Sequence, residues 1–459
     1  MDLFTPCVPK DKLHDLFKRI VCGLFAPEQA VLNQWAEGFV DRDHKFVTEF
    51  QTTFDSSFWE LYLFACFKQL NFAVDFVHPS PDFSVTSASG DFAAEATIAS
   101  NPEGAAPASD REVQAATIAN FDEDEFLNLA STRLANAIST KHAKYRRDYS
   151  KMPHVQGKPF VICVAPFEQP FFYFQGDAAI RRVLYRHDKA LIAKQGSIPF
   201  IVGSPQVSKT FKPSGAPVPF GYFAEPIMSE VSAVIFSSLA TWGKVRALSA
   251  NLAHHTSFAV SRYAKDKTAP QEAVIPKSEY SESLLDGLHL FLNPFATVPL
   301  TTKPFENREI AIHTIDPESG AYLVDMRDGF LYQRTVQSFP VTNDPKAFVE
   351  NISPTKGTKY KKSVGPALPE GQLVEFGGTA LNYCDFHLAH YCGWTVLVLR
   401  DKTDNKWISQ AIKGAHHTVT QFATAYDGTG LELAEWLLDK DSAFQAIKVL
   451  IVGATKTVG

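Results

Sequence analysis

The sequence predicts an α/β protein with an αβββαβ order in its first part and a second, β-rich α+β domain after it. Three observations carry that prediction. An apolar helix, three short strand-like runs, a long amphipathic helix and one apolar strand follow one another between 55 and 167. That last strand, "KPFVICVAPF" (158–167), has no polar alternation, as expected where both faces are covered. Beyond 283 the pattern turns to short runs separated by turn residues, as in "AYLVDM-RDG-FLYQRTV" and "TVLVLRDKTDNKWISQAI".

Taken in order, residues 1–54 are expected to be an N-terminal helical segment, with Leu13, Leu16, Phe17 and Ile20 at helical spacing. "DSSFWELYLFACFKQL" (55–70) reads as a helix buried on most sides, with Asp55, Ser56 or Ser57 placed to cap it. "NFAVDFVH" (71–78), "DFSVTS" (82–87) and "DFAAEATIA" (91–99) are the three strands, and "SASG" turns the last two. The Ala-, Pro- and Ser-rich stretch 100–120 reads as a loop. Residues 122–148 form a helix, acidic in its first turn and basic in its last, which suits the helix dipole.

"VSAVIFSSL" (231–239) is a further buried strand, so a first domain is expected over 55–262. The polar, proline-bearing stretch 263–283 reads as a linker to the β-rich domain over 284–459. Within that domain "REIAIHTID-PESG-AYLVDM-RDG-FLYQRTV" suggests a meander, and "LELAEWLLDKDSAFQAIKVLIVG" reads as a helix followed by a strand.

Bulk properties narrow the function classes. The chain has 459 residues, 45% of them hydrophobic with 37 Phe, enough for a sizeable core. A net charge of −6 argues against a general nucleic-acid coat, so any polyanion site must be a local basic patch. Six scattered cysteines form no CxxC pair, and Cys66 and Cys163 lie in apolar runs, which fits free buried thiols. The most apolar window, "PFVICVAPFEQPFFYF" (159–174), is broken by prolines and Glu168 and is too short for a bilayer. No signal-peptide pattern opens the chain, and a cytoplasmic location without a membrane partner is expected.

The chemistry-bearing residues are three isolated carboxylates. Glu60 is the only charge between Asp55 and Lys68 in the apolar helix. Asp82 follows Pro81 at the start of one strand, and Glu95 is the only charge among Ala93, Ala94, Ala96, Thr97, Ile98 and Ala99 in the next. Such groups are costly to desolvate unless protein partners or a metal compensate them. Antiparallel strands joined by a short turn can bring Asp82 and Glu95 to one point of a sheet. Two carboxylates and a carbonyl suit a hard divalent cation such as Mg²⁺, which activates water and stabilises charge on a phosphodiester. The alternative is structural: Asp82 caps a turn, while Glu60 and Glu95 form buried ion pairs with Arg133 or Lys141.

The order αβββαβ with "PDF", a turn and "EAT" resembles the PD-(D/E)XK, or restriction endonuclease-like, nuclease superfamily over about residues 55–167. The resemblance implies a mixed central sheet, Asp82 and Glu95 as ligands of Mg²⁺ or Mn²⁺ beside the Ala96 carbonyl, and Glu60 as the acidic residue of the first helix. The sequence departs at Thr97, where the family usually has a lysine that orients the attacking water. Lys141, with Lys144 behind it, is the candidate replacement, and Arg133 is a third cation on that helix. The implied activity is endonucleolytic hydrolysis of DNA, related to restriction or defence, with Glu60, Asp82, Glu95 and Lys141 catalytic. The alternative is an inactive nuclease-fold protein that binds nucleic acid or acts as a scaffold. The expected partner is nucleic acid, DNA first, and a homodimer is compatible with the reading.

Other motifs carry less. "KHAKYRRDYSK" (141–151) interleaves Tyr145 and Tyr149 with cations, and Lys144, Arg146 and Arg147, with Arg133, are its candidate phosphate contacts. "KGTKYKK" (356–362) is a second basic cluster. "DFHLAHYC" sets His387 and His390 three apart, a spacing that a helix would turn into a metal site. There is no GxxxxGK[ST] and no GxSxG.

Overall fold

The computed structural model describes residues 1–21, 25–102, 104, 108, 113–114, 116–117, 121–188, 191–195, 198–212, 214–251, 254–264, 270–306, 309–340, 370–379, 383–401, 407–416, 431–437 and 440–456. The basic cluster 356–362 and most of the loop 100–120 lie outside them. Helices α1 (Asp15–Ile20), α2 (Ala26–Ala36) and α3 (Phe46–Thr52) precede α4 (Asp55–Gln69). Strands β1 (Ala73–Asp75), β2 (Phe83–Ser87) and β3 (Gly90–Ser100) follow, then α5 (Glu123–Arg147) and β4 (Phe160–Phe167). The order helix, three strands, helix, strand therefore stands.

Four further strands complete the sheet: β5 (Ala233–Phe236), β6 (Leu288–Leu292), β7 (Ile310–Ile315) and β8 (Tyr322–Asp325). The eight strands lie side by side in chain order. Pairing is mixed: β3–β4, β4–β5 and β6–β7 are parallel, and the remaining neighbours are antiparallel. Period-two alternation splits β4 between two cores. Val161, Cys163 and Ala165 pack with α4 and the N-terminal helices, whereas Phe160, Ile162 and Val164 face α5 and helix α6 (Ala178–Tyr185). Both faces are covered, which is why this run is apolar throughout. Cys66 and Cys163 are buried free thiols, as their surroundings in the sequence imply.

The β2–β3 hairpin turns at "SASG" with Ser87 opposite Gly90. The Ser87 hydroxyl donates to the Gly90 carbonyl at 2.8 Å and accepts from the Ser89 N–H at 3.2 Å. Capping of α4 differs from expectation. Phe54, at φ 52, occupies the cap position without a side-chain hydrogen bond, and Asp55 is already inside the first turn. A phenylalanine in that backbone region is strained and is retained because its ring is buried among Phe50 and Phe58.

The expected linker is corrected. Gln271–Pro276 is a strand paired with His254–Arg262, which also pairs with Leu331–Pro340. Downstream of it, β6 rejoins β5 in the main sheet. The misleading signal is polarity: Gln271–Pro276 is an edge strand with its side chains largely exposed. Within the expected meander, β7 and β8 pair, but Leu331–Pro340 joins the other sheet.

A separate β-rich region follows, five antiparallel strands (374–379, 383–391, 394–401, 407–413, 431–437) with helix α8 (Lys440–Lys456) packed on them; helix α7 (Trp242–Leu248) belongs to the first part. The final segment reverses the expected order, because Leu431–Leu437 is the strand and the helix comes after it. Leu431, Leu433 and Leu437 alternate as a strand requires, while Ala443, Phe444, Ile447 and Ile451 recur at helical spacing and are buried. Among the described residues no helix is long and apolar enough to cross a membrane.

Glu282, at the end of the expected linker, is a buried anion between Lys244 of α7 and Arg334 of Leu331–Pro340; all three side chains are shielded from solvent. Tyr280 also donates to it at 2.5 Å. Removing one partner of such a group strands the others in low dielectric. Glu282→Ala should therefore cost roughly 3–5 kcal/mol. Urea denaturation measures this, and an unchanged midpoint would refute it.

Candidate functional site

Glu95 is 1% exposed at the centre of β3, on the face covered by α5. Three donors converge on it. Lys141 and Lys144 lie one turn apart on α5, and their Nζ atoms donate to Oε1 at 2.7 and 3.0 Å. Tyr149, in the short turn after α5, donates its hydroxyl to Oε2 at 2.9 Å. Burial alone would raise the Glu95 carboxyl, but Lys141 and then Lys144 outweigh it and hold the group below the ordinary carboxylate value. Burial, then the Glu95 charge, pushes the Tyr149 phenol up, so it stays a donor.

Asp82 sits where β2 begins. Extending the β2–β3 register would set Ala96 opposite Pro81, which has no N–H to give. The ladder stops there, and the Asp82 Oδ2 instead accepts the Ala96 N–H at 2.8 Å. The segment delivering Asp82 is held from two sides. Arg42 donates to the carbonyls of His78 and Asp82, the latter at 3.1 Å, and His154 Nε2 donates to the Ser80 carbonyl at 2.7 Å. The His78 and His154 rings stack at 3.7 Å, which adds to that clamp.

Burial, then the neighbouring Glu95 charge, raises the Asp82 carboxyl. Glu60 of α4 faces the same centre; burial, then Asp82, pushes it up to about 8. Glu60, Asp82 and Glu95 therefore share one field, although among the described residues they are not a group of three with all ligand atoms within 4.8 Å of one another. Glu60 and Asp82 offer oxygen donors only, beside the Ala96 carbonyl, which points to the same strand edge as the Ala96 N–H. That donor set fits a hard divalent cation.

Of the expected cations, Lys141 and Lys144 reach Glu95 and Arg133 does not. Arg133 donates instead to the carbonyls of Ser100 and Asn101 at 2.8 and 2.9 Å, tying α5 to the end of β3. Arg146 lies 3.6 Å from Glu230, and Arg147 pairs with Asp148; both keep about two thirds of their side chains in solvent. Thr97, on the same face as Glu95 by strand alternation, is partly buried. His387 and His390 are on a strand, not a helix, so their odd spacing sends them to opposite faces and no shared site forms.

Sequence reasoning missed a second polar centre. Asp177, His289 and His313 are buried, and their ligand atoms all lie within 4.8 Å of one another, so this cluster could bind a metal ion. Burial lowers His289 to about 4; burial, with His289 adding to it, also holds His313 well below the ordinary imidazole value. The available signal was the one that exposed Glu95: a lone titratable residue in each of the apolar strands "LHLFL" and "IAIHTI".

No family model, curated protein or solved structure matches the chain.

The Glu60 shift sets a pH dependence. The folded protein keeps a proton that the unfolded chain releases above the ordinary value of 4.5, so stability falls as pH rises from there to about 8. Glu60→Gln should flatten this decline in urea-midpoint measurements made in chelator across that range. Identical pH slopes for variant and wild type would refute the assignment.

Proposed function

We propose that the chain is a Mg²⁺- or Mn²⁺-dependent nuclease of the restriction endonuclease-like type that hydrolyses phosphodiester bonds of DNA. The observation that carries the reading is Lys141: its ammonium lies 2.7 Å from Glu95, on the face where Thr97 leaves the strand without a lysine. Asp82 and Glu95 would hold the cation with the Ala96 carbonyl, and Glu60 would assist from α4. When bound, the ion lowers the pKa of its water and stabilises charge on the phosphate.

The chain's own residues do the rest. Lys141 stands in for the strand lysine, orienting the nucleophile and offsetting developing negative charge. Tyr149 and Lys144 fix the Glu95 carboxylate, which limits the reorganisation that binding requires. Arg146 and Arg147, solvent-facing at the end of α5, would contact the phosphate backbone. A second reading has one observation in its favour: Lys141 and Lys144 already share Glu95 Oε1. In that reading the centre is a structural ion-pair cluster in an inactive, nucleic-acid-binding protein.

Cleavage assays on DNA and RNA with Mg²⁺ or Mn²⁺ separate the two. Asp82→Asn and Glu95→Gln should each lower the rate by about 10²–10⁴-fold, and Lys141→Ala by about 10²-fold. Thr97→Lys in the Lys141→Ala background should restore part of the loss. Cleavage undiminished in both Asp82→Asn and Glu95→Gln, or absent from the wild type, would sink the nuclease reading.

A further inference from the structure

We infer that Asp177, His289 and His313 form a buried structural site for one borderline transition-metal ion of the Zn²⁺ class, separate from the Asp82 centre. Three elements meet there: Asp177 precedes α6, His289 lies on β6 and His313 on β7. Their exposures are 4%, 3% and 2%, so water does not solvate the cluster freely.

Four features point to a ligand. Asp177 stands at the helix cap yet makes no capping hydrogen bond, the usual employment of an aspartate in that position. Its Oδ1 is buried and has no hydrogen-bond partner, a state that native proteins rarely leave uncompensated. The two imidazoles turn a nitrogen each toward one another, His289 Nδ1 and His313 Nε2 at 2.9 Å. Two nitrogens on a tetrahedral Zn²⁺ sit about 3.3 Å apart, so a shift of a few tenths of an ångström admits the ion.

The fourth feature is the outer layer. The opposite nitrogen of His313, Nδ1, bonds the Tyr322 hydroxyl, which orients the ring. The second oxygen of Asp177 lies 3.3 Å from Arg181 Nε, leaving Oδ1 for the ion. Metal-ligating imidazoles and carboxylates are ordinarily held in this way. Two nitrogens and one carboxylate oxygen select a borderline metal over Mg²⁺ or Ca²⁺, with a water completing the set. Bound there, the ion would pin the start of α6 to the parallel β6–β7 pair.

The competing arrangement is a metal-free chain of imidazole, imidazole and phenol beside an Asp177–Arg181 ion pair. The full-length protein, stripped with chelator, is titrated with Zn²⁺ by calorimetry and with Co²⁺ as an optical probe. With Mg²⁺ in excess to fill the oxygen-donor centre, a single equivalent should bind, Co²⁺ should develop ligand-field bands of a nitrogen- and oxygen-coordinated site, and Zn²⁺ should raise Tm by several degrees. Asp177→Asn and His289→Gln should each weaken binding by roughly 100-fold or more. Failure of the wild type to take up either ion, or undiminished uptake by Asp177→Asn, would overturn the inference. Should the variants not fold, the wild-type Co²⁺ spectrum decides, since that of the fully hydrated ion counts against the site.

Discussion

Glu95 carries its charge inside a central strand, and much of the first part of the molecule is arranged around making that tolerable. Desolvating a carboxylate costs several kcal/mol, and attraction in the interior offsets this only with good geometry and filled hydrogen-bond sites. Here both carboxylate oxygens are engaged, one by two ammonium groups and one by a phenol. The requirement fixes α5 over β3. Lys141 and Lys144 secure the helix at the middle of the strand, and Arg133, two turns earlier, secures it at the strand's end through Ser100 and Asn101. Helix and strand therefore run antiparallel with a defined offset, and the lost solvation of one side chain specifies the packing of two elements.

Much of this centre was legible because its parts are close in sequence or conspicuous in type. Asp82 and Glu95 flank a hairpin whose turn is written in "SASG", and each is a lone charge in an apolar run. Lys141 was readable as a candidate partner of Glu95, and its ammonium reaches that carboxylate. Tyr149 was visible only as an aromatic among cations, and Arg42, forty residues from the carbonyl it holds, left no local trace. The Asp177 cluster is harder still. Its members lie on three separate elements that only the folded sheet brings together. The fold failed to read where polarity misleads: Gln271–Pro276 is exposed because it is an edge, not because it is a linker. The final strand and helix were exchanged because both segments are apolar and only their periods differ.

The two polar centres use one sheet in different ways. Around Asp82 and Glu60 the donors are oxygens and the field is negative, with lysines entering from one side. Around Asp177 the donors are mainly neutral nitrogens, enclosed by aromatic rings such as Phe291 and Phe330. One centre lies at a strand edge where Pro81 ends the ladder; the other is buried within the sheet–helix layer.

The lateral order of the sheet also has a temporal meaning. Because the eight strands lie side by side in the order in which they are written, each new strand can dock on the one before it without threading past others. The residues meeting at Asp82 and Glu95 fall between Arg42 and His154, whereas those at the second centre fall between Asp177 and Tyr322. A chain emerging from the ribosome can thus close its first ion-pair cluster while β6, β7 and β8 are still unmade. Biogenesis would proceed from one edge of the sheet to the other, with the carboxylate centre already locked when the histidines arrive.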